Sequence, residues 1–147
     1  MSTQEPRGFV VLEREYAGNS GTLRDVRSDV VASLRSSIVD PDLEERAQLV
    51  VSELVTNAIQ ASPGRRYALV VHVGSDRSVV VQVISRSDRG APPLRDSWGP
   101  QTATSVSGRG LLIVGKLSDE VEIAQPASGT VVVTATFRPT THHQRSG

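Results

Sequence analysis

The sequence predicts an α+β domain, a two-layer sandwich with helices on one face of a mixed, largely antiparallel sheet. Two observations carry this. Two long segments with apolar residues at helical spacing stand together in the N-terminal half. Short β-branched runs then come in two pairs, each joined by a short turn, with one brief helical stretch between the pairs. Strands joined by tight turns pair antiparallel, and helices grouped this way cover one sheet face.

Phe9 to Tyr16 opens with an apolar run (Phe9, Val10, Val11, Leu12) and reads as a first strand. From Thr22 to Val39, Leu23, Val26, Val30, Val31, Leu34 and Ile38 recur at helical spacing, with Arg and Asp on the other face. Asp40-Pro41-Asp42 breaks that helix, and Asp42 is placed to cap the next. The second helix runs from about Leu43 to Ala61, with Leu43, Ala47, Val50, Leu54 and Ala58 as its stripe, and ends at Ser62-Pro63-Gly64. Tyr67 to Val73 and Ser78 to Ser85 are strands around the turn Gly74-Ser75-Asp76-Arg77. Arg86 to Arg109, rich in Gly, Pro, Ser and Asp, reads as a functional loop of the lid kind, and carries Trp98. Leu111 to Leu117 is a short helix starting at glycines, and Asp119 to Ala124 and Thr130 to Phe137 are strands.

The chain has 147 residues, a length suited to one domain, assigned to 9–138 between flexible ends at 1–8 and 139–147. Apolar residues make up 37% and aromatics only 3%, so the core must be aliphatic. Sixteen basic residues balance sixteen acidic ones, which leaves no global field to draw the chain to nucleic acid or an anionic membrane. The absence of cysteine excludes disulfides, thiolate metal sites and cysteine catalysis. Neither a long apolar run nor a signal-peptide core is present, so the expectation is a soluble cytoplasmic protein. His142 and His143 lie in the tail and His72 in a strand, positions that suggest no metal site.

Three segments could carry chemistry. In Ser52-Glu53-Leu54-Val55-Thr56-Asn57-Ala58, Glu53 and Asn57 are four apart and so share a helix face beside the apolar stripe. A carboxamide oxygen suits Mg²⁺, and a carboxylate can accept a proton from a hydroxyl or water. Alone, the pair is equally a solvated helix face. Ser107-Gly108-Arg109-Gly110-Leu111 stands at a loop-to-helix junction. Its glycines would let backbone amides approach a phosphate, and Arg109 could pair with one bidentately; alone it is also a plain hinge. Ser85-Arg86-Ser87-Asp88-Arg89-Gly90 follows a strand, where an Asp can accept from an exocyclic amine and a glycine can make room for a flat base. Alone, it is a polar turn.

In this order and at these separations, the segments resemble the N-box (Glu53 to Asn57), the first glycine box (Asp88-x-Gly90) and the second glycine box (Gly108-Arg109-Gly110-Leu111) of the GHKL ATPases, whose fold is the Bergerat fold. The chain is most similar to small stand-alone bacterial domains that include the anti-sigma-factor serine kinases of actinobacteria. Their pattern of "SELVTNA", a strand pair, a Pro-rich lid and "GRGL-x-IV-x-x-L-x-D" runs here across about Thr22 to Phe137.

The resemblance implies ATP and Mg²⁺ as cofactors, with Asn57 the Mg²⁺ ligand and Glu53 the general base. Gly108, Arg109, Gly110 and Leu111 would form the phosphate end of the lid, and Thr130 would assist adenine through its hydroxyl. Adenine's acidic partner is ambiguous: strand continuity places Ser85 where the family has Asp, whereas Asp88 restores the Asp-x-Gly spacing. Ala61 and Ser62 also stand where many anti-sigma kinases carry His. The implied function is an anti-sigma factor and serine/threonine kinase that phosphorylates a STAS-type anti-anti-sigma partner and sequesters a sigma factor. The alternative is a non-catalytic regulator of the same fold, nucleotide-binding or degenerate. Relatives often form homodimers, although no interface is legible in the sequence. Neither nucleic acid nor membrane is an expected partner.

Overall fold

The computed structural model describes residues 8–86 and 113–139. Five strands, β1 (Gly8–Tyr16), β2 (Tyr67–Gly74), β3 (Val79–Arg86), β4 (Glu120–Ala127) and β5 (Thr130–Phe137), form one sheet in the order β1-β2-β3-β5-β4. Every pairing is antiparallel, so among the described strands the expected mixed character is absent. Two helices, α1 (Leu23–Ser36) and α2 (Pro41–Ala61), lie between β1 and β2 in sequence, and residues 113–117 are helical ahead of β4. The α+β class is as the sequence predicts.

Strict alternation builds the core. Tyr67, Leu69, Val71 and Val73 of β2 are buried, as are Val79, Val81 and Val83 of β3 and Val131, Val133, Ala135 and Phe137 of β5. Their sequence neighbours, among them His72, Gln82 and Thr134, point to the opposite face, because successive strand side chains alternate. Onto the buried face α1 places Val26, Val30 and Leu34, and α2 places Leu43, Val50 and Leu54 with Val51 and Val55 beside them. Fully burying each such side chain stabilises the fold by about 1.5–3 kcal/mol, so the largely aliphatic core expected from composition, joined by Tyr16, Tyr67 and Phe137, suffices without disulfides.

Several boundaries differ from the sequence expectation. Helix α1 stops at Ser36, not Val39, because Ile38 turns left-handed with φ of 55°. The N–H groups of Ser37 and Val39 then both close onto the carbonyl of Leu34. The cap of α2 is Asp40, not Asp42. Its side chain accepts from the N–H of Asp42, while Pro41 opens the helix, where its missing N–H costs nothing. Gly8, expected in the loose N-terminus, is already strand and pairs with Gly74. β4 continues to Ala127 across a register irregularity after Ala124, and β3 runs one residue past Ser85 to Arg86. Among the described residues no helix is long and apolar enough to cross a membrane.

Candidate functional site

Helix α2 has two distinct flanks. On one, Arg27 of α1 donates to Ser52 Oγ at 3.2 Å and Arg35 of α1 pairs with Glu44 at 3.0 Å, so this flank carries α1. The other bears Arg46, Glu53 and Asn57. Residues seven and eleven apart return to within roughly 20° of one another on a helix, so the three form one stripe. Arg46 shows what that stripe faces: its Nη1 donates to the carbonyl of Leu117 at 3.1 Å and lies 3.8 Å from Asp119 Oδ2. At its Arg46 end the stripe therefore meets the segment following the candidate second glycine box. Glu53 and Asn57 are half-buried on it, and neither has a hydrogen-bond partner among the described residues.

The far end of α2 meets the end of β3. Ser62 Oγ, just past the helix, donates to the carbonyl of Arg86. The register pairs Ser85 with Val131, which is buried, and gives Ser85 the parity of Val79, Val81 and Val83. Ser85 thus belongs to the helix-covered face of the sheet. Thr130 pairs with Arg86 and is out of phase with Val131 and Val133, so the strand does not bring it to the same face as Ser85.

Asp88, Gly90, Gly108, Arg109, Gly110 and Leu111 lie outside the described residues, as do Trp98, His142 and His143. The segment that follows the glycine box is described and firmly placed. Val114 is fully buried, the N–H of Asp119 bonds the carbonyl of Thr136 at 2.8 Å, and Asp119 Oδ2 accepts from the N–H of Arg138 at 2.6 Å. Two residues in these contacts escaped the sequence reading. Arg46 sits in an ordinary acidic-and-basic helix turn, and Ser62 looked like a helix stop, so neither gave a signal.

The histidine kinase-like ATPase domain family matches residues 17–136, from the end of β1 into β5. The chain belongs to that family. No curated protein matches it. Among solved structures, the SiaB–SiaC complex from Pseudomonas aeruginosa contains a similar chain, with TM-score 0.69 at 12% identity over 87% of this chain and 89% of that one. A second is the structure of the RsbU and RsbW domains of Rv1364c from Mycobacterium tuberculosis, with TM-score 0.63 at 18% identity. There the match covers 86% of this chain but 32% of the other, so this chain spans about a third of that protein's length. At such identities the likeness is one of fold.

Membership in a histidine kinase-like ATPase family implies ATP, and the groups in place suit it. The α2 stripe offers a neutral amide oxygen and a carboxylate one turn apart, and β3 turns the Ser85 hydroxyl to the helix-covered face of the sheet. Among the described residues no three His, Asp or Glu side chains gather as a metal cage. Mg²⁺ on a nucleotide needs none, because phosphate oxygens and water supply most of its ligands and a single protein oxygen completes the set.

Proposed function

We propose that this chain is an ATP-dependent regulator of the anti-sigma type: a serine/threonine kinase that binds Mg·ATP against α2, phosphorylates a STAS-type anti-anti-sigma partner and, when free, sequesters a sigma factor. One observation carries the reading: Glu53 and Asn57 lie together on the flank of α2 that α1 leaves uncovered, half-buried and with no side-chain hydrogen bond among the described residues. The fold shared with chains from the SiaB–SiaC complex and from the RsbU and RsbW domains of Rv1364c supports a protein that works on protein partners.

In this scheme the Asn57 amide oxygen would hold Mg²⁺, which when bound would supply positive charge against the phosphates. Glu53 accepts the proton of the attacking serine or threonine hydroxyl. Such positioned proton transfer contributes about 10²–10⁴-fold, the remainder of the rate coming from alignment and charge stabilisation. Gly108, Arg109, Gly110 and Leu111 are assigned to the phosphates and Gly90 to the space beside the base; Thr130, turned to the other face from Ser85, is given no part in holding adenine. The adenine amine donates to Ser85 or to Asp88. The parity of Ser85 favours it, with a consequence for affinity. A neutral hydroxyl is a weaker acceptor than a carboxylate, costing about 1.5 kcal/mol or roughly tenfold. That observation also sustains the second reading, a regulator of the same fold that binds nucleotide weakly and transfers nothing. Reducing conditions suit a chain without cysteine, and we place its work in the cytoplasm.

Incubation with labelled ATP and candidate STAS partners tests the kinase. Glu53→Ala should lower transfer by about 10²-fold or more while keeping nucleotide binding. Asn57→Ala should remove Mg²⁺-dependent binding itself. Transfer that survives both substitutions removes the kinase reading, and a wild type that binds no ATP removes the nucleotide site.

A further inference from the structure

The helices cover one face of the sheet, and the described side chains of the other face are at most half-buried. The strand register lays that second face out in rows. One row crosses all five strands as Glu13, Val70, Gln82, Thr134 and Glu122. The row on one side of it carries Val80 on β3, and the row on the other sets Ile84 of β3 beside Val132 of β5. The face is therefore aliphatic within and acidic at both rims, with Glu13 and Glu15 on β1 and Glu120 and Glu122 on β4. An antiparallel sheet that meets water on one face normally turns polar side chains to it. Threonine serves a strand as well as valine does, so strand geometry alone does not demand aliphatic residues there. Exposed apolar patches rimmed by polar groups mark sites of interaction.

The shape and the charges of this face say what fits it. A cleft of about 550 Å³ opens beside the β2–β3 turn, with His72, Val80, Gln82 and Thr136 in its lining, and has room for a large anchoring side chain. Arg66 already pairs with Glu15 at 3.2 Å and Arg138 with Glu120 at 3.1 Å. Glu13 and Glu122 are exposed and have no ion-pair partner among the described residues. They end the same row on the two outer strands, and strands about 4.8 Å apart set them about 19 Å from each other. An α-helix with its side chains is about 10–12 Å across. A helix lying along the strands thus seats on Val70, Val80, Ile84 and Val132, while long cationic side chains on its two flanks reach the two carboxylates. A second copy stacked face to face brings an acidic rim onto an acidic rim whichever way it turns, because both edges carry Glu. An anionic membrane surface is repelled in the same way.

We infer that the open sheet face is the docking surface for a basic amphipathic helix of a partner protein, one with an aliphatic stripe, a bulky anchor residue and Lys or Arg along both flanks. Docking adds a third layer to the two-layer domain. It uses the side of the sheet away from α2, Glu53 and Asn57, and needs no nucleotide.

The test uses the full chain without nucleotide and three labelled synthetic peptides of equal length. One is a helix with a Leu stripe, one Trp and Lys flanks; one has Glu flanks instead; one scrambles the first so that no stripe forms. Anisotropy titrations should show wild type binding the Lys-flanked helix and neither of the others. Glu13→Lys combined with Glu122→Lys should raise that dissociation constant about tenfold and bring in binding of the Glu-flanked helix, a gain that only a folded protein can show. Ile84→Thr combined with Val132→Thr keeps the strand preference and should weaken the Lys-flanked helix by a similar factor. Asp25→Lys combined with Glu45→Lys, exposed acids of the helix layer, should leave it within twofold. Equal loss in this last variant, or equal binding of the scrambled peptide, reveals a general attraction to acidic protein and overturns the inference. A wild-type dimer in sedimentation that Ile84→Thr with Val132→Thr dissociates makes a second copy the occupant, and overturns it as well.

Discussion

Ile38 occupies a backbone conformation that a β-branched residue rarely adopts, with φ of 55°, and yet its side chain is 70% exposed. It stands just beyond α1, the position where helices commonly end on glycine. The left-handed turn costs an L-residue about 1–2 kcal/mol, and an exposed isoleucine recovers little of it by packing. Ile38→Gly should therefore raise stability by about 0.5–1 kcal/mol despite the extra freedom of the unfolded chain, seen as a higher urea midpoint with unchanged slope. Arg77 repeats the pattern at φ of 68° in the turn between β2 and β3. There Nη1 donates to the carbonyl of Ile38 at 3.3 Å, so the two strained positions support each other. Glu53 and Asn57 are the residue-scale test of function: both side chains are half-buried without described partners, and their alanine variants should lose chemistry before they lose fold.

At the scale of elements, the connection from β1 to α1 and that from α2 to β2 cross at Gly18. Its carbonyl accepts from the N–H of Gly64 at 2.8 Å, and any Cβ at position 18 would overlap the carbonyl of Arg65. That obstacle is backbone and cannot swing aside. Gly18→Ala should destabilise by about 1–3 kcal/mol, the range of overpacking in a tight contact, measurable as a fall in the denaturation midpoint. Since this crossing lies at the end of the sheet where β3 terminates beside Ser62, such a variant should also weaken nucleotide binding. The helix itself was legible: periodicity located α2 to within two residues, and the i, i+4 spacing put Glu53 and Asn57 on one face. The cap was misread because Asp40 and Asp42 flank Pro41 alike in sequence. Only the intrinsic φ of proline and its dispensable N–H favour the first helical position.

Across the whole molecule, the two tyrosines tie the first layer to the second. Tyr16 and Tyr67 stack with ring centroids 5.6 Å apart; the hydroxyl of Tyr16 donates to Asp29 of α1 at 2.6 Å, and that of Tyr67 lies 2.7 Å from Thr22 Oγ1. Burial pushes both phenols above their ordinary value of 10.0, and for Tyr16 the bond to the Asp29 carboxylate pushes further in the same direction. The folded state thus holds these protons more tightly than the unfolded chain does. Below about pH 10 both states are protonated and the interaction is fully present. As the pH rises beyond that value the unfolded tyrosines ionise first, and stability falls. Urea midpoints should be flat from pH 8 to about 9.5 and drop above 10. Tyr16→Phe should start lower, having lost the hydrogen bond, and drop less steeply.

The sequence by itself determined what each segment would be and which of its faces would be buried. Alternation in β2, β3 and β5 and the 3.6-residue period in α1 and α2 are local properties, fixed by backbone geometry before any partner is chosen. The same locality placed Glu53 beside Asn57. Tertiary structure alone decided which flank of α2 meets α1 and which is left to the stripe of Arg46, Glu53 and Asn57. It also turned Ser85, not Thr130, to the helix-covered face, because a register of paired strands and not a pattern within one strand sets that choice. Arg46 was invisible in advance for the same reason: its partners at Leu117, Asp119 and Arg138 are some seventy to ninety residues away, and only folding gathers them around one guanidinium.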